Sequence, residues 1–216
     1  MWQKLLGGVL TCLLALGGTG AAQAAKAQEE PKLVDQVRKA IDLGVDYLKS
    51  QERNGRWEHN GAGGTNPGGG TSLALLALLN AGVKPSDPVI QRGLKYLRSM
   101  EPERTYVVGL QTMVYAEARF KEDLPRIQRN VKWLLAARVF ADKEQKQFRG
   151  WGYTRGGGSD NSNTQYALLG LHAAKQAGIA IDRSVWSRSA SITRASRTRT
   201  ARLATLPSAA ATNASP

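Results

Sequence analysis

The stretch IDLGVDYLKSQERNGRW, residues 41–57, decides the fold. Ile41, Val45 and Leu48 fall on one helical stripe at i, i+4 and i+7, with Tyr47 beside them. Gln51, Gly55 and Trp57 then end the helix in a turn. The helical half recurs twice without a gap, as IQRGLKYL at 90–97 and IQRNVKWL at 127–134. Gly44, Gly93 and Asn130 share one register, and Tyr47, Tyr96 and Trp133 share another. Such a period, with an aromatic and leucine landmark, marks an array of helical repeats.

Between these one-sided helices lie segments of another kind. Residues 73–81 (LALLALLNA) are apolar nearly all round, which predicts a helix buried on more than one side. Thr71 and Ser72 are placed to cap it, and Gly82 to close it. A shift of 37 positions lays Ser72 on Gly109, Pro88 on Pro125 and Ile90 on Ile127, so residues 110–118 form the second inner helix. Pro88 and Pro125 each start an outer helix at its first turn. The outer helix through Trp133 should reach about Phe140, followed by a charged excursion at 142–147. Gln147, Gly150 and Trp151 restore the turn, Asn163 and Thr164 cap a third inner helix at 165–176, and 182–186 opens the next outer one. Alternation of fully buried and one-sided helices suits a two-layer, all-α array of about three helix pairs.

A chain of 216 residues can bury a core of its own. Its formal charge of +13 is uneven. Residues 1–24 carry Lys4 alone, and the segment after Trp186 carries five arginines and no acid, which leaves +7 for 25–186. No dense basic run with interleaved aromatics occurs there, so a nucleic-acid partner is not expected. Lys4, an apolar stretch at 5–16 and the Ala22-Gln23-Ala24 site read as a cleavable signal peptide over 1–24, giving a secreted or periplasmic protein. No transmembrane segment is expected after cleavage; retention of the signal as an anchor is the alternative. Cys12 is the single cysteine and lies inside the signal, so the mature chain has no thiol for a disulfide, a metal or nucleophilic attack. Residues 25–31 read as a polar spacer, with Pro31 starting a helix, and 32–186 as the repeats. From 187 to 216 periodicity stops, which predicts a disordered basic tail. Out-of-frame sequence is the other reading: one codon choice for 196–205, read a base earlier, yields Gln-Asn-Ala-Asp-Gly-Ser-Phe-Gly-Tyr, a turn of the missing type.

The QERNGRW turn at 51–57 resembles the Gln-x-x-x-Gly-x-Trp motif of the terpenoid cyclase and protein prenyltransferase superfamily, the prenyltransferase/squalene-oxidase repeat. Gln147, Gly150 and Trp151 are similar to a shortened copy, Met100 stands where the middle repeat should have its glutamine, and DNSNTQYALLGL at 160–171 looks like a family inner-helix start. The resemblance covers about 34–186 and implies an α/α toroid, a double ring of helices around an apolar cavity. Three helix pairs do not close such a ring, so an open arc, a truncated member or half of an assembly is implied.

Family chemistry is only partly represented. Cyclases of this kind protonate an alkene with an Asp-x-Asp-Asp cluster, because a lone carboxyl is too weak an acid without tuning neighbours. Here Asp160 stands alone in DNSN, where capping the third inner helix is its ordinary role. Prenyltransferases hold zinc through Asp, Cys and His, whereas His59 and His172 are far apart and zinc needs three or four ligands. His172 reads as a core or rim histidine, or as a cavity residue. The glycine loop at 59–70 lacks the Gly-Lys-Ser/Thr ending of a phosphate cradle and reads as a connector. Trp57, Tyr106, Tyr115, Trp151 and Tyr166 either line a cavity or pack between repeats. The sequence thus predicts structural roles for Gln51, Gly55, Trp57, Gln147, Gly150 and Trp151, with Asp160, His172 and Tyr166 as cavity candidates. It assigns no catalytic residue, cofactor or metal. The expected partner is an apolar or isoprenoid ligand or another protein, and the expected function a non-catalytic binding or scaffold module. A cyclase- or prenyltransferase-type enzyme with its active site in missing repeats is the alternative.

Overall fold

The structure is a computed structural model that describes residues 20–58 and 66–192, with side chains described from Lys32 onward. The apolar part of the expected signal, Cys12, His59 and residues 193–216 lie outside the described residues. The helices are α1 (Gly20–Gln51), α2 (Gly69–Asn80), α3 (Pro88–Arg98), α4 (Thr105–Ala118), α5 (Leu124–Ala136), α6 (Asn161–Gln176) and α7 (183–192). A short hairpin, β1 (Arg138–Phe140) and β2 (Phe148–Trp151), lies between α5 and α6. The expected helical content is present. Several local expectations need correction. Residues 25–31 lie within α1 rather than in a spacer before a helix started by Pro31, and 187–192 continue α7 rather than joining an irregular tail. Helix α2 has Gly68 and α6 has Asp160 as N-cap, so Thr71, Ser72, Asn163 and Thr164 lie in the first turns rather than at the caps. The chain leaves α5 at Ala136, and residues 138–140 are a strand.

The chain divides into two units, residues 1–44 and 45–216. In the first, Leu33, Val34, Val37, Ile41 and Leu43 are exposed along α1. Ile41 is exposed, and in the second unit Val45 and Leu48 pack half-buried against that unit's core.

In the second unit α2, α4 and α6 pack side by side with α4 in the middle. Helix α4 buries Val107, Val108, Leu110, Val114, Tyr115 and Ala118, as its all-round apolar sequence requires. The flanking helices each keep one open side, with Leu73 on α2 and Leu169 on α6 exposed. Helix α3 packs on α2, and α5 packs on α4 and α6. Their repeat registers are filled as the sequence predicts: Ile90 is 0% and Ile127 1% exposed, Leu97 and Leu134 are buried, and Tyr96 and Trp133 are half-buried against the core.

Both proline starts are present. Asp87 caps α3 by accepting from the Val89 N–H at 2.9 Å. Asp87 also takes the Lys49 ammonium at 2.8 Å, so the last turn of α1 is tied to the first turn of α3. The same link joins the next pair of outer helices. Arg98, in the last turn of α3, donates to both oxygens of the fully buried Asp123 at 2.9 and 2.7 Å, just before α5. Each link sets a cation at a negative helix end and an acid at a positive one.

Candidate functional site

The two tryptophan turns position the site. Asn54 (φ 54°) and Gly55 (φ 78°) are both left-handed, and the peptide groups of Arg53 and Arg56 exchange hydrogen bonds at 3.0 and 3.1 Å, making a two-residue hairpin. The turn delivers Trp57 into the core at 4% exposure. The Trp57 indole Nε1–H donates to the Leu48 carbonyl at 2.7 Å, and its backbone N–H to Thr71 Oγ1 at 3.1 Å. Trp151 repeats both bonds: its indole donates to the Leu134 carbonyl at 2.7 Å and its N–H to Thr164 Oγ1 at 2.9 Å. Each tryptophan thus caps the end of one outer helix and fastens it to the start of the following inner helix.

The glutamines take no comparable part. Among the described residues the Gln51 side chain reaches only the Ser50 hydroxyl, at 3.3 Å, and Gln147 is exposed, joined to the Asp142 carboxylate and the Ala141 N–H through its backbone.

Around the first turn lies a cavity of about 440 Å³, lined by Trp57, Glu58, Leu73, Tyr106, Tyr153, Asn163 and Tyr166 among others. It sits where α2, α4 and α6 begin. Tyr106 and Tyr166 meet edge to face, with centroids 4.5 Å apart and planes at 83°. Burial, and then the neighbouring Tyr166, push the Tyr106 phenol above its ordinary value, so it stays neutral.

Glu58 is the one charged side chain among the described residues of this lining. Its Oε1 accepts from the Gly68 N–H (3.0 Å), the Thr71 N–H (3.3 Å) and the Thr71 hydroxyl (2.8 Å), supplying the carboxylate that the start of α2 lacks from its own N-cap, Gly68. Its Oε2 is enclosed and has no hydrogen-bond partner among the described residues. Asn163 Oδ1, on a side chain 2% exposed, is likewise without one, while its amide nitrogen donates to Asp160.

The predicted candidates separate in space. Asp160 is the N-cap of α6: its Oδ1 accepts from the Asn163 N–H at 2.8 Å, the Asn163 amide at 2.9 Å and the Ser162 hydroxyl at 2.5 Å. The Ser162 and Asn163 hydrogen bonds hold the Asp160 carboxyl below its ordinary pKa. Tyr166 and Trp57 line the cavity with Tyr106, while Trp151 is in the core. Tyr115 and His172 line a different cavity of about 800 Å³ toward the other ends of the inner helices. His172 is exposed there, 3.2 Å from the Gln176 amide, and Tyr115 is fully buried, its phenol pushed strongly upward by burial.

Sequence reasoning missed Glu58, Tyr153 and the cavity role of Asn163. Position was the available signal, since Glu58 follows a motif tryptophan and Asn163 opens an inner helix. Among the described residues no group of three or more His, Cys, Asp or Glu is placed to hold a metal. No described helix is long and apolar enough to cross a membrane. No family profile, curated protein or solved structure matches this chain.

Proposed function

We propose that this chain is a secreted or periplasmic binding or scaffold module, built as an incomplete arc of terpenoid-cyclase-like α/α-toroid repeats and non-catalytic as it stands. The observation that carries this reading is the cavity at the starts of α2, α4 and α6. Its size is in the range of small-ligand sites, and aromatic side chains form much of its wall. The one charged group among its described lining residues, Glu58, has an oxygen engaged by three donors in holding α2. A general acid must deliver its proton to a reacting atom, and a carboxylate so engaged is better suited to architecture. The toroid reading draws support from the matched bonds of Trp57 and Trp151, which make the units equivalent.

Purified protein given a polyprenyl alcohol, a prenyl diphosphate and squalene tests the proposal. The expected result is ligand-dependent stabilisation with every ligand recovered unchanged by mass spectrometry. Product formation, or stoichiometric zinc in the protein, overturns it. Such a result would favour a cyclase- or prenyltransferase-type enzyme, the reading to which the aromatic walls also lend themselves.

A further inference from the structure

The aromatic cavity contains an electrostatic imbalance. Trp57, Tyr106, Tyr153 and Tyr166 present four aromatic groups around one carboxylate, and no Lys or Arg stands among the described lining residues. The chain as a whole is strongly basic, so a cation-free lining differs from its general surface. Three helix starts point positive dipole ends toward this region, which by itself would favour an anion. Two of those ends are already met by acids, α2 by Glu58 and α6 by Asp160. The third, at α4, is met by the neutral Tyr153 carbonyl, which accepts from the Thr105 N–H at 3.0 Å. The side-chain atoms of this lining left without a donor among the described residues are both acceptors, the enclosed Glu58 Oε2 and the Asn163 Oδ1.

We propose that this cavity takes an alkylated, quaternary-type ammonium group, an inference that rests on the binding-module reading and names its ligand class. Aromatic faces attract a cation through their quadrupoles, most strongly when water is excluded. The Glu58 charge adds to that attraction and needs no direct contact. A bare ammonium is less suitable: it is strongly hydrated and must replace its water with several acceptors, and few are free here. An alkylated ammonium is weakly hydrated, presents methyl groups to the rings and asks for no hydrogen bond. A sugar would use the aromatic faces equally well but would draw nothing from the carboxylate's charge.

Calorimetric titration of the full chain with choline and with 3,3-dimethylbutan-1-ol, its neutral carbon isostere, tests this. Choline should bind about 10-fold or more tightly than the isostere, the margin expected of a partly desolvated cation over aromatic rings and a nearby carboxylate. Glu58→Gln removes the charge but keeps an oxygen for Gly68 and Thr71. It should erase most of that margin while leaving the isostere's affinity unchanged and the fold intact by circular dichroism, with only the small loss of thermal stability expected of a missing charge at the start of α2. Tyr166→Leu should weaken choline and leave the fold intact by circular dichroism. Phosphatidylcholine vesicles that co-sediment with wild type but not with Glu58→Gln would support the same chemistry on a lipid headgroup. Equal affinity for choline and isostere, or a Glu58→Gln variant with the full margin, overturns the inference. An NMR fragment screen separates the two levels: neutral fragments shifting Trp57 while choline does not would sink the ammonium assignment and spare the binding module. A screen with no cavity hit would sink both.

Discussion

The turns that end in Trp57 and Trp151 reach their tryptophans by different routes, a two-residue hairpin and the β1–β2 hairpin, yet hold them alike and differ again after them. In both, the indole holds an outer-helix carbonyl and the peptide N–H holds a threonine hydroxyl on the next inner helix. In the first, that hydroxyl donates to the Glu58 carboxylate. In the second, Gly152 stands in place of Glu58, a Cβ there would lie 2.0 Å from the Gly158 carbonyl oxygen, and the Thr164 hydroxyl donates to the Asp160 carbonyl at 2.7 Å. One turn has room for a carboxylate with an oxygen to spare, whereas the other is closed by backbone. The repeat therefore fixes a common frame, and the residue after the tryptophan decides whether that frame also supplies a carboxylate.

The largest effect should come from the tryptophans. Trp151→Ala is expected to cost about 4 kcal/mol and Trp57→Ala about 3 kcal/mol, since both remove a buried indole and orphan a helix-end carbonyl. Denaturant unfolding checks both. A cost under about 1 kcal/mol for either would break the equivalence of the two turns.

Next come the glycines before them. Gly55 and Gly150 have φ of 78° and 109°, and an added Cβ would meet the Arg92 carbonyl oxygen at 2.6 Å and Thr164 Oγ1 at 2.3 Å. Alanine at either should cost about 2 kcal/mol or more. Gly150→Ala should be partly relieved by Thr164→Ala, because the clash there is with a side chain; Gly55→Ala has no such rescue, its obstacle being backbone. Equal behaviour of the two in a double-mutant cycle would contradict the difference in surroundings.

Smaller again are the threonines. Thr71→Val and Thr164→Val should each cost about 1–2 kcal/mol by leaving a tryptophan N–H without its acceptor. Thr71→Val should cost the more, since its hydroxyl donates to the Glu58 carboxylate whereas that of Thr164 donates to a neutral carbonyl. A larger loss at Thr164 would reverse the ranking.

Much of the frame was legible in the sequence because helix faces and turns are local. The shift of 37 placed Pro88 and Pro125 correctly, and the motif residues marked both turns. What failed was set by distant partners. Residues 138–140 look like the end of an amphipathic helix, yet they pair as a strand with β2, Arg138 opposite Trp151 and Phe140 opposite Phe148. Phe148 in turn packs edge-on against Trp151 at 5.1 Å. Nothing in 138–140 alone records that pairing. Glu58 was invisible for the same reason, because its meaning depends on Gly68, Thr71 and three tyrosines far along the chain. Asp160 was read as a cap and is one, because capping acts over three residues.

Asp160 also supplies the weakest test of the comparison, one that turns on charge. Its carboxylate is a cap and nothing more, so Asp160→Ala should cost about 1 kcal/mol near neutral pH. The Ser162 and Asn163 hydrogen bonds lower its pKa in the folded chain, so the charged form favours the native state. That contribution is complete above the ordinary aspartate value of about 3.9 and fades as pH falls through the lowered folded value. The gap between wild type and Asp160→Ala, followed by urea unfolding, should therefore be constant from neutral pH to about 5 and narrow below about 4. A gap that stays constant down to about pH 2 would mean that the Asp160 charge does not contribute to the cap and that geometry alone starts α6. The second turn would then differ from the first, where Glu58 meets the positive end of α2 with a charge, by more than the residue that follows its tryptophan.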